Sequence, residues 1–394
     1  MNPVELKKGI YWVGVVDWNL RDFHGYKTPN GTTYNAYLVV DEKVALIDTV
    51  KRPFRDDFVR SVSSLVPLDR IDYLVVNHVE MDHSGSFPDV ARMLPNATVL
   101  ATPEAKEELA KHFGDVVPIE TVEDGQTVSL GSKTLVFVKT PMLHWPDSMM
   151  TYIPEDKVLF SSDGFGQHYA SSRRFSDEID EQTLRAAAGD YYANILWLYS
   201  PLIARLLSRV AEMGIAIDLI APDHGFIWRG NTASALEWYG AWSSGTARDK
   251  IVIAYETMWN STEALAKAAA AALADEGFEV RLMRLRDTEN SYVLAELLEA
   301  KALLVGTPTL NNGMFPSVGG LLTYLKGLRP KKKRGAVFGS YGWGGGGCAA
   351  ADELVEQAGI ARAVPPFEVR WVPTDEELSA CAAWARELAA SLKE

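Results

Sequence analysis

The residues His78-Val79-Glu80-Met81-Asp82-His83 place four side chains that can bind a metal within six positions. They follow the apolar run Ile71 to Val76, which is typical of a buried strand, and they precede Gly85 and a helical pattern from Ser86 to Leu94. The motif is therefore predicted to lie in a loop at the end of a strand. Packing its carboxylates together is costly unless a cation neutralises them. The pattern predicts a metal site, and the alternative is a solvated acidic loop that contains two histidines by chance.

Three further candidate ligands end strand-like runs elsewhere in the chain. His144 stands in Pro141-Met142-Leu143-His144-Trp145-Pro146, Asp163 follows Val158 to Ser162, and His224 closes a run that begins at Leu219. Singly, each has an ordinary explanation, because Asp caps turns and His is common in loops. Each nevertheless stands where a sheet delivers side chains to one rim, so we expect them near the hexapeptide.

Composition limits the class of protein. A chain of 394 residues exceeds what one hydrophobic core usually serves, which predicts two domains. The formal net charge of -13 argues against a nucleic-acid partner, because phosphate binding needs a basic face. Two cysteines, Cys348 and Cys381, are too few for a disulfide framework, and neither a signal sequence nor a membrane-spanning run is apparent. We therefore expect a cytoplasmic protein without a membrane role.

The first part of the chain alternates strands and helices. Residues Gly9 to Val16, Tyr34 to Val40 and Lys43 to Asp48 are rich in β-branched and aromatic side chains and predict strands. Helices are predicted further on, including a helical region from Glu178 to Met213 that breaks near Ser200-Pro201. This order of elements fits an αβ/βα sandwich.

A polar, glycine-containing loop from Arg21 to Gly31 carries two further candidates, His24 and Tyr26. A lone histidine in a loop is usually only solvated, so the residues alone give His24 a weak claim to function. His112 belongs to a helix opened by Thr102-Pro103 and is expected on its surface face. We therefore do not predict it to be a ligand.

The pattern changes after Ser243-Ser244-Gly245-Thr246, which is typical of a linker. Five short apolar strands then alternate with five helices, a pattern that predicts a doubly wound parallel sheet. The predicted domains are residues 1–249 and 250–394.

Three loops, at residues 257–262, 307–313 and 340–345, lie at the carboxyl ends of these strands, and we predict that they form the ligand site of the second domain. The first offers hydroxyl and amide groups at a helix N-terminus, which suits phosphate, but it lacks the Gly-Lys of a nucleoside triphosphate loop. The third offers close backbone approach and an aromatic side chain that could lie against a planar ring. The candidate residues are Thr257, Met258, Trp259, Asn260, Ser261 and Thr262; Thr307, Pro308, Thr309, Leu310, Asn311, Asn312 and Gly313; and Ser340, Tyr341, Gly342, Trp343, Gly344 and Gly345.

Both halves of the chain resemble known families. The hexapeptide resembles the metallo-β-lactamase signature His-x-His-x-Asp-His, except that Glu80 replaces a histidine of the zinc hydrolases. An anionic oxygen in place of a neutral nitrogen favours iron over zinc. The later loops resemble flavodoxin, with Thr257 and Thr262 at the ends of its phosphate-binding segment and Trp343 in its ring-flanking loop. Together they make essentially the whole chain resemble the flavodiiron proteins, also called A-type flavoproteins.

This resemblance implies a ligand set for a non-haem diiron site. It implies that His78, Glu80 and His144 bind one iron, that Asp82, His83 and His224 bind the other, and that Asp163 bridges the two. It also implies that His24 and Tyr26 line the pocket, and that FMN is the second cofactor.

The implied activity is the reduction of O2 to water, of NO to N2O, or of both, with electrons relayed through FMN. Because the chain contains no Cys-x-x-Cys pair, we expect a separate electron donor, by resemblance rubredoxin or a reduced deazaflavin. Two alternatives stay open: a zinc hydrolase with an appended flavodoxin domain, and an FMN electron carrier with an inert metal site.

The predicted assembly is a homodimer. The short linker gives one chain little freedom to bring its flavin rim to its own metal rim, whereas a head-to-tail dimer makes both pairings at once. The resemblance implies the same arrangement.

Overall fold

The computed structural model describes residues 2–212 and 214–393, which form two compact units. Apart from the undescribed positions, the first unit contains residues 1–24, 28–191 and 201–240, and the second contains residues 25–27, 192–200 and 241–394. The domain ranges 1–249 and 250–394 stay a prediction. The predicted helix end at Met213 lies outside the described residues.

The chain up to residue 244 forms seventeen strands and seven α-helices among the described residues. The strands are β1 (Val4–Lys7), β2 (Ile10–Trp12), β3 (Val15–Asp17), β4 (Asp22–Phe23), β5 (Tyr26–Lys27), β6 (Thr32–Tyr34), β7 (Tyr37–Val40), β8 (Val44–Ile47), β9 (Ile71–Val76), β10 (Thr98–Ala101), β11 (Ile119–Thr121), β12 (Thr127–Ser129), β13 (Thr134–Lys139), β14 (Met149–Ile153), β15 (Val158–Ser162), β16 (Leu219–Pro222) and β17 (Trp228–Arg229). The helices are α1 (Arg55–Ser63), α2 (Met81–Ser84), α3 (Phe87–Met93), α4 (Pro103–Phe113), α5 (Glu181–Tyr191), α6 (Ser200–Glu212) and α7 (Thr232–Ser244).

Two sheets make the centre of the first unit. One has the order β1-β2-β7-β8-β9-β10-β11, and the other has the order β12-β13-β14-β15-β16-β17. Apolar side chains fill the space between them, for example Tyr37 and Phe160, whose ring centroids lie 5.0 Å apart. Helices α1, α3 and α4 cover the outer face of the first sheet, and α6 covers part of the second. The predicted αβ/βα sandwich is confirmed.

The second half of the chain forms a parallel sheet with helices between its strands. Its elements are β18 (Arg248–Tyr255), α8 (Ser261–Asp275), β19 (Glu279–Arg284), α9 (Asn290–Leu298), β20 (Ala300–Pro308), α10 (Pro316–Leu328), β21 (Arg334–Tyr341), α11 (Gly347–Gln357), β22 (Ala361–Arg362), β23 (Phe367–Arg370) and α12 (Asp375–Lys393).

The strand order is β19-β18-β20-β21, and both β22 and β23 pair with β21. The order reverses beside β18, so the carboxyl ends of β18, β20 and β21 converge on one edge. The predicted doubly wound sheet is confirmed. Its fifth strand is interrupted, because residues 361–362 and 367–370 pair separately with β21.

A short segment from earlier in the chain completes the second unit. Residues 192–200 lie between α5 and the body of α6 as a π-helical turn (Tyr192–Leu196) and a 3-10 turn (Trp197–Tyr199). Asn194 Nδ2 donates to Ser291 O at 3.3 Å, and Tyr324 OH donates to Asn194 Oδ1 at 2.9 Å. The predicted break near Ser200 therefore lies just before that residue and is longer than expected.

No helix within residues 2–212 and 214–393 is both long enough and apolar enough to cross a membrane.

Candidate metal centre and flavin site

The seven predicted metal ligands come together at one rim of the sandwich. His78 and Glu80 lie in the loop after β9, Asp82 and His83 lie on the short helix α2, and His144 lies in the loop before β14. Asp163 directly follows β15 and His224 stands two residues after β16, and these two strands are parallel neighbours. Parallel strands present their carboxyl ends at the same edge, which is why residues far apart in the chain meet here.

The first set of side chains is His78, Glu80, His144 and Asp163. His144 Nε2 lies 3.1 Å from Glu80 Oε2 and 3.0 Å from Asp163 Oδ2. His78 Nε2 lies 3.5 Å from the same two oxygens. Two histidines and a terminal carboxylate are the donor set of many non-haem Fe(II) sites.

The second set is Asp82, His83 and His224. His224 Nε2 lies 3.1 Å from Asp82 Oδ2, and His83 Nε2 lies 3.4 Å from Asp82 Oδ1. Again two histidines face one carboxylate. The ligand atoms within each set lie within 4.8 Å of one another.

Asp163 connects the two sets through its separate oxygens. Its Oδ2 faces His144 and His78, whereas its Oδ1 lies 3.2 Å from His83 Nε2 and 3.5 Å from His224 Nε2. A carboxylate in this position has the geometry of a bridge between two cations.

The unpaired atoms at this rim fit metal ions. His78 Nε2, His83 Nε2 and Asp163 Oδ1 are buried and have no hydrogen-bond partner among the described residues. Burial alone would favour neutral side chains, yet His83 and the other histidines hold the pKa of Asp163 well below its usual range. Likewise, burial opposes the charge of His78, but Asp147 and the nearby carboxylates raise its pKa well above the usual range. Without a cation, the buried carboxylates and protonated histidines stabilise one another. Bound metal ions would take the place of the histidine protons.

Asp147, which no sequence motif indicated, orients His78. The buried Asp147 Oδ2 lies 2.9 Å from His78 Nδ1 and accepts from Val79 N at 2.7 Å. This contact directs Nε2 of His78 towards Glu80 and Asp163, as carboxylates behind metal-bound histidines do. The available signal was its position three residues after His144 in the same loop.

His24 reaches the site although it lies in a loop. Its Nε2 lies 2.7 Å from Glu80 Oε1, while 73% of its side chain is exposed. Its backbone has a φ of 54°, a left-handed conformation that is uncommon outside glycine. Tyr26 is buried and belongs to the second unit, so its place in the pocket stays a prediction. His112 is exposed on α4 and lies outside both ligand sets, as predicted.

Two more buried residues that the sequence did not single out stand beside His224. The His168 ring centroid lies 4.8 Å from that of His224, and burial lowers the pKa of His168 well below its usual range. Burial, the charge of Asp163 and a hydrogen bond to it raise the pKa of Tyr191 well above its usual range. Tyr191 therefore keeps its hydroxyl proton near the bridge. It lies inside a helical pattern, so nothing local marked it.

In the second unit, the first loop has the chemistry of a phosphate cradle. Thr257 Oγ1 is buried and has no hydrogen-bond partner among the described residues, and Asn260 turns the chain with a φ of 68° before α8 begins. Thr262 Oγ1 lies 2.9 Å from Ser340 Oγ, which joins this loop to the third. An unpartnered hydroxyl beside a helix N-terminus suits a phosphate oxygen.

Glu256 and Arg286 anchor this loop, and the sequence pattern did not indicate either residue. The buried Glu256 accepts the backbone N–H of Thr257 at 2.8 Å and the guanidinium of Arg286 at 3.0 Å. Arg286 also donates to Thr257 O at 2.9 Å. Because Glu256 takes the Thr257 N–H, that group is not available to a phosphate.

Threonine hydroxyls hold the second and third loops in shape, and the third loop exposes an aromatic side chain. Thr307 Oγ1 accepts from Phe315 N at 3.0 Å, and Thr309 Oγ1 accepts from Gly347 N at 3.1 Å, so both hydroxyls hold the loops in shape. Trp343 is 87% exposed, with its ring centroid 6.0 Å from that of Trp371. Trp259 of the first loop is 90% exposed. These aromatic faces are available to a planar ring.

Comparison with known proteins agrees with this arrangement. Residues 32–225 match the family model described as ODP family beta lactamase, and residues 253–384 match that of flavodoxin. The chain is 46% identical to a nitric oxide reductase of Moorella thermoacetica, with 99% of each chain covered. It superposes on the rubredoxin oxygen:oxidoreductase of Desulfovibrio gigas with a TM-score of 0.97 and 39% identity, covering 100% of this chain and 99% of that one. The chain belongs to the flavodiiron family.

A third comparison extends the family relationship. The flavodiiron protein of Giardia intestinalis superposes with a TM-score of 0.94 at 34% identity, covering 100% of this chain and 98% of that one. The chain is therefore a flavodiiron oxidoreductase, with FMN and a non-haem diiron centre as its cofactors. The flavodiiron interpretation is favoured over both the zinc hydrolase and the inert carrier.

Proposed function

We propose that this flavodiiron protein reduces O2 to water, NO to N2O, or both, with electrons that pass from a separate donor through FMN. The observation that carries the proposal is the double set of two histidines and one carboxylate, joined by the two oxygens of Asp163. When bound, the iron pair supplies the positions at which the gas binds, and the irons and the reduced flavin supply the electrons for its reduction.

In this proposal His78, Glu80 and His144 would hold the first iron, Asp82, His83 and His224 would hold the second, and Asp163 would bridge them. The carboxylate of Glu80 favours iron over zinc at the first position. Asp147 keeps His78 in the orientation that binding needs.

Protons are needed for either gas, and this chain's residues can hold them near the site. Tyr191 keeps a hydroxyl proton beside Asp163 because burial and the carboxylate charge raise its pKa. His24 contacts Glu80 and is largely open to solvent, which places an imidazole between water and the site. We propose that His24 and Tyr26 line the pocket where the gas reacts.

For the flavin, we propose that the phosphate of FMN lies in the first loop, with Thr257 Oγ1 as a donor, and that Trp343 flanks the ring. The buried, unpartnered hydroxyl of Thr257 and the exposed indole of Trp343 support this placement.

The test is the metal and flavin content of the protein, purified without air, followed by rapid-mixing oxidation of the reduced protein with O2 and with NO. We expect two irons and one FMN per chain, and oxidation of flavin and iron by at least one of the gases. Zinc with hydrolytic activity would support the hydrolase, and FMN without metal would support the carrier. Either result would contradict the proposal.

The electron donor, the assembly and the location are further parts of the proposal. The similarity to a rubredoxin oxygen:oxidoreductase supports rubredoxin as a donor, with a reduced deazaflavin as the other candidate. We propose a head-to-tail homodimer in which the flavin of one chain serves the irons of its partner. A cytoplasmic location is supported by the acidic charge and by two buried cysteines that form no disulfide.

A further inference from the structure

A second carboxyl group stands behind Asp147, on the side away from the metal ligands. Asp147 Oδ2 is occupied by His78 Nδ1 and Val79 N, but its Oδ1 is buried and has no donor among the described residues. Glu108 of α4 lies within hydrogen-bonding reach of the Asp147 side chain, and Glu108 Oε2 is also buried without a donor. Each carboxyl group therefore presents an unsatisfied oxygen.

The position of Glu108 is set by the start of its helix. Thr102 caps α4 by accepting from Ala105 N at 3.0 Å, and its hydroxyl donates to Asp147 O at 2.9 Å. This double contact ties the first turn of α4 to the loop that carries Asp147. Glu108 lies further along the same helix and is partly open to solvent, so it connects the surface with the buried carboxylate.

Two adjacent carboxyl groups, each with one buried oxygen that lacks a donor, cannot both be ionised at low cost, because like charges repel and burial disfavours each charge. One proton shared between them satisfies both oxygens. We place the proton on Glu108, because Asp147 Oδ2 is already held by Val79 N and His78 Nδ1, whereas Glu108 Oε2 has no donor.

We propose that Glu108 is a positioning residue that holds a proton against Asp147 Oδ1 and thereby limits the negative charge that Asp147 presents to His78. The proposal rests on the proposed role of His78 as an iron ligand. A carboxylate behind a metal-bound histidine makes the ring a stronger donor and favours the more oxidised metal. A neutral acid bonded to that carboxylate weakens this effect, and loss of its proton restores it.

The surrounding charges agree with a protonated Glu108 near neutral pH. Burial and then the charge of Asp147, with a smaller contribution from Glu104, raise the pKa of Glu108 to about 7, although the charge of His78 opposes the shift. Glu104 on the same helix is paired with Lys139 of β13 at 3.1 Å. Glu108 is thus expected to carry its proton below neutral pH and to lose it above.

The first experiment detects the proton itself in the full-length protein. Infrared spectra with 13C-labelled glutamate should show a carboxylic acid carbonyl band at pH 6 that fades as the pH rises through 7. The band should be absent from Glu108→Gln and unchanged in Glu107→Gln, whose side chain is exposed one position away. A spectrum without this band at pH 6, as expected if a water or a cation lies between the carboxylates, would overturn the proposal.

The second experiment measures the reduction potential of the iron-loaded site against pH. In the unmodified protein the potential should fall with a component centred near pH 7, because ionised Glu108 adds negative charge. Glu108→Gln keeps a neutral hydrogen-bond donor, so it should lose that component and retain the low-pH potential, whereas Glu107→Gln should follow the unmodified protein.

An unchanged pH profile in Glu108→Gln would overturn the tuning role even if the proton is present. Absence of iron would contradict the proposed function instead, and the metal analysis reveals this separately from the infrared result.

Discussion

His24 Nε2 lies 2.7 Å from Glu80 Oε1, although most of the His24 side chain faces solvent. One proposed iron ligand is therefore in contact with a histidine whose ring is open to water. His24 is held in a left-handed backbone conformation, and such uncommon conformations are concentrated at functional sites.

The first prediction concerns this contact. His24→Ala should leave iron content close to normal, because His24 belongs to neither ligand set. Loss of a group that can transfer protons should lower turnover by on the order of 10²-fold and should change the ratio of O2 to NO activity. Iron analysis and steady-state rates with each gas check this, with His112→Ala as the exposed control. Equal loss of both activities in proportion to lost iron would make His24 structural.

The second prediction concerns metal choice. In Glu80→His a nitrogen replaces the terminal oxygen ligand, so zinc should be bound in preference to iron and gas reduction should be lost, while FMN stays bound. The metal-free protein would be loaded from equal concentrations of both ions and then analysed. Glu107→His adds a histidine at an exposed position and should retain iron. Normal iron content and full turnover in Glu80→His would defeat the ligand assignment.

The third prediction concerns pH. In the metal-free protein burial opposes the charge of His78, His83 and His144, but neighbouring carboxylates raise the pKa of each. Histidines must be neutral to bind metal, so binding of two ferrous ions at neutral pH should release up to about three protons. The carboxylates release none, because the pKa of Glu80, Asp82 and Asp163 is lowered and they are already ionised.

Iron affinity should therefore rise with pH until these histidines have lost their protons. Calorimetric titrations in buffers of different ionisation enthalpy would count the released protons. Binding that releases no protons and is insensitive to pH would show that the histidines are neutral in the metal-free protein.

The fourth prediction concerns the flavin. Thr257→Ala together with Thr262→Ala should weaken FMN binding, because each hydrogen bond to a charged phosphate contributes about 1.5–3 kcal/mol. Fluorescence titration of the flavin-free protein measures this. Thr323→Ala, which removes an exposed hydroxyl from α10, is the matched control. Unchanged affinity in the double variant would place the phosphate elsewhere.

The fifth prediction concerns the proposed dimer. A chain with Thr257→Ala and Thr262→Ala should bind FMN weakly, and a chain with His78→Ala and His144→Ala should lack the first iron. If electrons cross between partner chains, mixed dimers of the two should recover part of the gas-reducing activity that neither has alone. Different affinity tags on the two chains allow the mixed dimers to be isolated. Isolated mixed dimers without activity, or a fully active monomer, would rule out the arrangement.

The clustering of the proposed metal ligands could be predicted because many of them stand at strand ends. Asp163 and His224 each follow an apolar run, so the chain itself marks where their side chains emerge. The two sheets bring these ends to one rim, and the ligand chemistry can then be read from residue types. The same logic located the loops after β18, β20 and β21.

The supporting residues could not be predicted in this way. Asp147 contacts His78, and Glu108 lies beside Asp147, in both cases from a distant part of the chain, so no local period indicates either residue. Tyr191 lies within a helical pattern, where a buried aromatic residue normally indicates core packing. The short strands β11, β12 and β22 were also missed, because three residues or fewer cannot establish an alternating pattern.

The segment 192–200 has a consequence for how this protein could be divided or could have been assembled from separate genes. A piece that begins at residue 248 would hold every strand of the parallel sheet but not Asn194, which joins Ser291 of α9 to Tyr324 of α10. It would also lack Trp197, whose ring lies 5.7 Å from the buried Lys333 ammonium. The flavin-binding half is therefore not a portable module bounded by one cut, since part of its surface is encoded within the other half.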